Sequence, residues 1–195
     1  MNESIFELCQ LYKSDKCPGA HIKTSYRGSS YAKLYDTLLG DKKNTATRVL
    51  EVGIGSMKKM SNFVDGYITG ASLFIWRDYF TKATIFGFDH DPSCNIREER
   101  IEIVIGDATK IKDLQKIIDL YGGGFDVIID DCSHHLNQQI ITADFLIPHL
   151  KEDGIYFIEN VRKSEELINH FKDSYGCEFI QGIKDADDDL LIIKK

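Results

Sequence analysis

The chain has 195 residues, 43% of them hydrophobic, and a formal net charge of −7. That length can bury a core of ordinary size for one domain, and the acidic balance excludes a nucleic-acid partner held through clustered Lys and Arg; a neutral or sugar-like ligand suits it better. No run approaches the roughly 18 apolar residues of a membrane span, and the N-terminal MNESIFELCQLYKSDK lacks the basic and apolar regions of a secretion signal, so the expected compartment is cytoplasmic. The five cysteines are odd in number, widely spaced and without a CxxC pair, and read as reduced thiols.

In chain order, residues 1–46 carry Tyr12, Tyr26, Tyr31 and Tyr35 with a Gly/Ser break at 28–30, and read as a helical cap over the sheet edge or a ligand. Residues 47–195 follow as a single unit. Apolar runs rich in Val and Ile recur at 48–52, 84–88, 101–105, 125–129 and 155–158 with helical stretches between most of them, which predicts a parallel α/β sheet. The segment 56–69 is long for a strand-to-helix loop and suits a lid or a surface insertion. After the fourth run, Leu136, Ile140, Ala143, Ile147 and Leu150 share one helix face, and Gly154 marks the turn into the next strand. The runs 177–183 and 190–194, joined by the acidic turn KDADDD, leave no room for a crossover helix and predict an antiparallel hairpin.

The strand ends carry the chemistry. In RVLEVGIGS, Gly53 and Gly55 let backbone amides approach a nucleotide-like ligand. The GxGxxG dinucleotide fingerprint needs a third glycine where Lys58 stands, which disfavours a nicotinamide dehydrogenase. Asp89, with Asp91 in reserve, is placed to accept both hydrogen bonds of a ribose diol. Asp107 suits an adenine amine, and Glu51 a cationic ammonium reached through water. The structural alternative for these aspartates is capping the helix that follows.

FDVIIDDCSHH runs a buried strand into two carboxylates and two imidazoles, an expensive ending unless the charge is used. His134 offers a neutral proton acceptor, with Asp131 in the same turn. Glu159, ending the next strand in GIYFIEN, can converge with Asp131 on a hard cation such as Mg²⁺, and Asn160 can add a carbonyl oxygen. Zinc on His134, His135, Asp131 and Glu159 is a weaker alternative. Asp130 can instead satisfy backbone amides, and His135 cap the next helix or face solvent. Lys58 and Lys59 are a solvated pair or meet an anionic group. Phe74, Trp76, Tyr79 and Phe80 read as helix core, and His21, His90, His149 and His170 as surface residues.

With LEVGIG as its first motif, the sequence resembles the class I S-adenosylmethionine-dependent methyltransferases over most of residues 48–195. More narrowly, GASLFIWRDYFTKATIFGFD, IDDCSHH and GIYFIEN, with YKSDK and YAKLY near the N-terminus, are similar to the macrolide-sugar O-methyltransferases of the mycinamicin and macrocin type and to rhamnosyl O-methyltransferases. The resemblance implies a Rossmann-like sheet and S-adenosylmethionine held by Glu51, Gly53, Gly55, Asp89 and Asp107, with Asp130 and Tyr31 as further contacts. It also implies a divalent metal on Asp131 and an acidic pair, here Glu159 and Asn160 where the family usually has Asp, and His134 as base. Tyr31 and Tyr35 fall on paired family tyrosines, preceded by Ser29 and Ser30 in place of the usual His-Gly. The expected activity is methylation of a sugar hydroxyl, on a deoxysugar such as rhamnose in a glycan or glycosylated metabolite. A catechol-type metal-dependent O-methyltransferase and a noncatalytic S-adenosylmethionine-binding module are the alternatives, and a homo-oligomer is left open.

Overall fold

The computed structural model describes residues 3–23, 28–182 and 188–195; Tyr26, Ile183 and most of the acidic turn after it lie outside the described residues. Helices α1 (Ile5–Tyr12) and α2 (Tyr31–Leu39) precede strand β1 (Arg48–Val52), and α3 (Met57–Met60) and α4 (Ala71–Tyr79) lead to β2 (Thr84–Asp89) and β3 (Ile101–Ile105). Then come α5 (Ile111–Tyr121), β4 (Phe125–Asp130), α6 (Leu136–Leu146), β5 (Leu150–Ile158), α7 (Ser164–Phe171), β6 (Gly176–Ile180) and β7 (Leu190–Lys194). The strands form one sheet in the order β3-β2-β1-β4-β5-β7-β6. The first five are parallel, β7 lies antiparallel to β5, and β6 antiparallel to β7, as the alternating runs and the closing hairpin predict. Strand order reverses between β1 and β4, the place where open α/β sheets open a crevice for ligands.

Alternation along each strand divides the core. Val49, Ile85, Val127, Ile129 and Phe157 pack on one face with Leu8, Tyr35 and Trp76 from α1, α2 and α4. Leu50, Val52, Ile128, Tyr156 and Ile158 pack on the other with Leu114, Leu146 and Phe171 from α5, α6 and α7. Trp76, Tyr79 and Phe80 are buried as expected, and the half-buried Phe74 stacks on Tyr12 with ring centroids 5.5 Å apart.

Three expectations change. Leu150 does not extend the face of α6, because Pro148 has no N–H to give the helix and a 3₁₀ turn at Ile147–His149 replaces it; Leu150 opens β5 opposite Phe125. Gly154 therefore lies inside β5, beyond a register shift that sits between Phe125 and Val127. His21 is buried rather than superficial, its Nε2 2.9 Å from the carbonyl oxygen of Ser14. No helix of the described residues is long and apolar enough to cross a membrane.

At the amino ends of the central strands, buried Asp126 accepts from the amides of Thr47 (2.8 Å) and Arg48 (2.9 Å) and from Lys151 Nζ (2.7 Å). Asp126→Ala leaves those donors without their acceptor and is expected to lower the urea-unfolding free energy by about 2–3 kcal/mol.

Candidate active site

Strands β1, β4 and β5 run in register, with Val52 beside Asp130 and Asp130 beside Ile158. Two backbone bonds carry the ladder one step further, from Asp131 N to Val52 O (2.8 Å) and from Glu159 N to Asp130 O (3.0 Å). Because successive side chains point to opposite faces, Glu51, Asp131 and Glu159 all project toward α1, α2 and α4, whereas Asp130 projects toward α6.

The three carboxylates meet on Lys16. Its ammonium, 3% exposed, lies 2.9 Å from Asp131 Oδ2, 2.9 and 2.7 Å from Glu159 Oε1 and Oε2, and 3.3 Å from Glu51 Oε1. Burial opposes the charge on Lys16, but Asp131, Glu159 and Glu51 outweigh it and hold the ammonium pKa well above its usual value. Burial in turn raises Glu159 and Glu51 against the pull of Lys16. Glu159 also accepts from the buried Tyr35 hydroxyl at 2.6 Å, and Glu51 Oε2 from Ser72 Oγ (2.6 Å) and Trp76 Nε1 (3.1 Å). Glu51 Oε1 accepts no hydrogen bond among the described residues.

Lys16 arrives by a fixed path. A capping box of Ser4 and Glu7 starts α1, and Lys13 ends it in the left-handed region at φ 54°. The next turn is tied to the start of α2, with Ser29 N on Asp15 O (2.7 Å) and Ala32 N on Lys16 O (3.0 Å). Nothing in the local sequence marked Lys16 beyond its place in YKSDK. The signal that could have found it is the parity of Glu51, Asp131 and Glu159: two buried carboxylates and a partly buried third on one face favour a cation.

A cavity of about 780 Å³ opens at these strand ends, a volume suited to a small ligand. Its walls run from the Gly53–Gly55 turn through Asp89 and Asp107 to Asp131, His134 and Asn160. Gly53 has φ +90°, and a Cβ there would sit 2.3 Å from Asp131 O, so only glycine fits. Asp89 braces this turn, its Oδ2 accepting from Ile54 N (3.1 Å) and Gly55 N (3.2 Å) and its Oδ1 from Asp91 N (2.9 Å). Asp107 holds its own turn through Thr109 N (3.0 Å), Thr109 Oγ1 (2.7 Å) and Lys110 Nζ (2.8 Å), bonds that keep its carboxyl well below the usual range. Lys58 and Lys59 are exposed on the rim, beside Met60 and Phe63. The segment 56–69 is moored to the N-terminal region: Ile22 bridges Val64, Lys23 N donates to Phe63 O (2.9 Å), and Asp65 N to His21 O (2.7 Å).

Two expected cofactor contacts are placed elsewhere. Glu51 is fully buried behind Lys16 and does not line the cavity. Asp130 is also walled off, because strand alternation turns it to the α6 face, where Tyr156 Oη donates to Oδ2 at 2.9 Å and Cys132 N to Oδ1 at 3.3 Å. Burial pushes Asp130 up to about 6. Tyr31 lines the cavity, but its hydroxyl accepts from Asn160 N at 2.9 Å and so supports the end of β5. Asn160 itself has φ 56°, a left-handed conformation that Asn tolerates.

His134 is half-buried between the cavity and a shallow groove of about 420 Å³ that includes Arg162 and Lys163. Arg162 Nη2 lies 3.3 Å from His134 Nδ1. A guanidinium only donates, so in this contact Nδ1 is the acceptor. Sequence reasoning missed Arg162. His135 is exposed and opens α6 without a side-chain bond to it. Among the described residues no group of three or more His, Cys, Asp or Glu side chains is arranged around a metal position, which leaves the zinc alternative without its ligand set.

No protein-family model matches the chain. It is 34% identical over 156 residues to the demethylmacrocin O-methyltransferase of Streptomyces fradiae, an alignment covering 80% of this chain and 35% of that enzyme. It is 33% identical over 131 residues to the 8-demethyl-8-(2-methoxy-alpha-L-rhamnosyl)-tetracenomycin-C 3'-O-methyltransferase of Streptomyces olivaceus, covering 67% and 32%. The chain thus spans about a third of the length of these curated relatives. Among solved structures, the MycE methyltransferase of the mycinamycin pathway, in complex with Mg, SAH and mycinamycin VI, matches all of this chain with a TM-score of 0.77 at 23% identity, and 55% of that protein is covered.

Asp130 gives a pH signature. Its folded pKa, about 6, lies above the unfolded value, so its contribution is full below about pH 4 and is lost as pH rises through 6. Asp130→Asn is expected to flatten that part of the stability curve, seen as a fall in urea-unfolding free energy between pH 4.5 and pH 7 that is smaller than the unsubstituted protein's by about 2 kcal/mol.

Proposed function

As a chain with the class I methyltransferase fold and a sequence similar to sugar O-methyltransferases, this protein, we propose, moves a methyl group from S-adenosylmethionine to a sugar hydroxyl. The acceptor is a deoxysugar such as rhamnose, in a glycan or glycosylated metabolite. The observation that carries the reading is a single cavity with a glycine turn and two strand-end aspartates at one end and Asp131, His134 and Asn160 at the other. Donor and acceptor can therefore meet in one cavity, where proximity supplies much of the rate.

Gly53 and Gly55 bring the backbone against the donor, with Asp89 taking the ribose hydroxyls through the lone pairs its backbone bonds leave free and Asp107 at the base. In the transfer, the acceptor oxygen bonds to the methyl carbon as the carbon–sulfur bond breaks onto sulfur, and the hydroxyl proton passes to His134. Its accepting nitrogen, Nδ1, faces Arg162, so the acceptor hydroxyl takes the place of that guanidinium or receives help from it. The acidic floor also favours a positively charged donor.

Mg²⁺ or another divalent cation suits Asp131 and Glu159, whose carboxylates are oxygen donors and already converge on one cation, the Lys16 ammonium. Asn160 would add its side-chain oxygen. When bound, the metal would stabilise the alkoxide that develops on the acceptor.

Calorimetry with S-adenosylmethionine and S-adenosylhomocysteine is expected to show saturable binding, and absence of binding removes the whole reading. His134→Ala is expected to keep that affinity while methyl transfer to rhamnose-containing acceptors falls by about 10²-fold or more. Unchanged transfer would dismiss His134 as the base, and transfer to catechols in preference to sugars would move the chain to the catechol-type class.

A further inference from the structure

Lys16 occupies the space between the carboxylates of Asp131 and Glu159. Its three N–H groups are taken by Asp131 Oδ2 and both oxygens of Glu159, at 2.7 to 2.9 Å. Mg²⁺ binds oxygen at about 2.0–2.1 Å, so a metal on these oxygens and an ammonium in contact with them would lie within a few ångström of each other and repel. The lysine is no surface side chain that drifted inward: its backbone is pinned to α2 and its side chain is buried. A partner toward which the ammonium can withdraw is already in contact, since the fully buried Glu51 Oε1 lies 3.3 Å from Lys16 Nζ and accepts no hydrogen bond among the described residues. Lys16 also borders the cavity, on a flexible four-carbon stem.

We propose that the Lys16 ammonium is a displaceable occupant of the cation site between Asp131 and Glu159. A divalent metal enters as the ammonium shifts to Glu51, and Lys16 thereby sets the metal affinity of this chain. The inference rests on the metal reading above and is independent of the methyl acceptor. An occupant that must be moved lowers apparent affinity by the fraction of molecules that have moved it.

The test is Mn²⁺ binding, followed by electron paramagnetic resonance, to unsubstituted protein, Lys16→Met and Asp131→Asn, with no methyl donor present. Lys16→Met is expected to bind Mn²⁺ at least about tenfold more tightly than the unsubstituted chain, and Asp131→Asn to weaken binding. Because Lys16→Met removes the counter-ion of three carboxylates and can unfold the chain, a second variant, Glu51→Gln, keeps the lysine and neutralises the carboxylate that receives it; it is expected to bind Mn²⁺ more weakly than the unsubstituted protein. Equal or weaker Mn²⁺ binding by folded Lys16→Met, with Asp131→Asn still impaired, overturns the inference and leaves the metal reading standing. Unchanged Mn²⁺ binding by Glu51→Gln does the same. Absence of Mn²⁺ binding in the unsubstituted protein and Lys16→Met alike overturns the two together.

Discussion

Adjacent parallel strands deliver buried Glu51 and Glu159 and partly buried Asp131 to one face, and the structure around β1, β4 and β5 supplies a positive charge to them in the Lys16 ammonium. Removing one partner of a buried ion pair typically costs 3–5 kcal/mol, roughly, because the remaining charge is stranded. The N-terminal helices therefore do more than cover apolar surface. α1 buries Ile5, Leu8 and Cys9 where it packs on α2 and α4, and the left-handed residue at its end turns the chain so that Lys16 enters between Asp131 and Glu159. Tyr35, from the next helix, adds a neutral donor to the same carboxylate.

The pair Asp130 and Asp131 shows how far environment outweighs identity. Adjacent in sequence and chemically the same, they leave the strand on opposite sides. One is enclosed with Tyr156 and Cys132, and burial lifts its pKa to about 6. The other is a quarter exposed, faces the cavity and is matched to an ammonium. The glycine turn beside them is shaped by the same strand ends, since Asp131 O is the atom that excludes a side chain at Gly53.

Much of this was legible in the sequence. The Val/Ile runs have the length and composition of buried strands, and the short link before Leu190 left only a hairpin, so the sheet followed from local pattern. The convergence of Asp131 and Glu159 followed from their positions at the ends of neighbouring strands. Lys16 was not legible, because it lies 115 residues from Asp131 and no local pattern states which distant surface a buried lysine will meet. Asp130 and Glu51 stand back from the cavity because the period of two assigns Asp130 to the α6 side and sets Glu51 one pleat below the cavity floor. Leu150 was lost to the helix pattern because its spacing from Ile147 suits a helix that Pro148 ends.

The antiparallel bridge between Ile22 and Val64 makes the rim of the cavity and its charged floor parts of one linkage. Met60 and Phe63 stand on the rim, the backbone of 63–65 is bonded to 21–23, and His21 reaches Ser14, two residues before Lys16. Were a ligand at the rim and a cation at Lys16 each to displace this backbone path, the free energy by which one altered the other would be the same read in either direction.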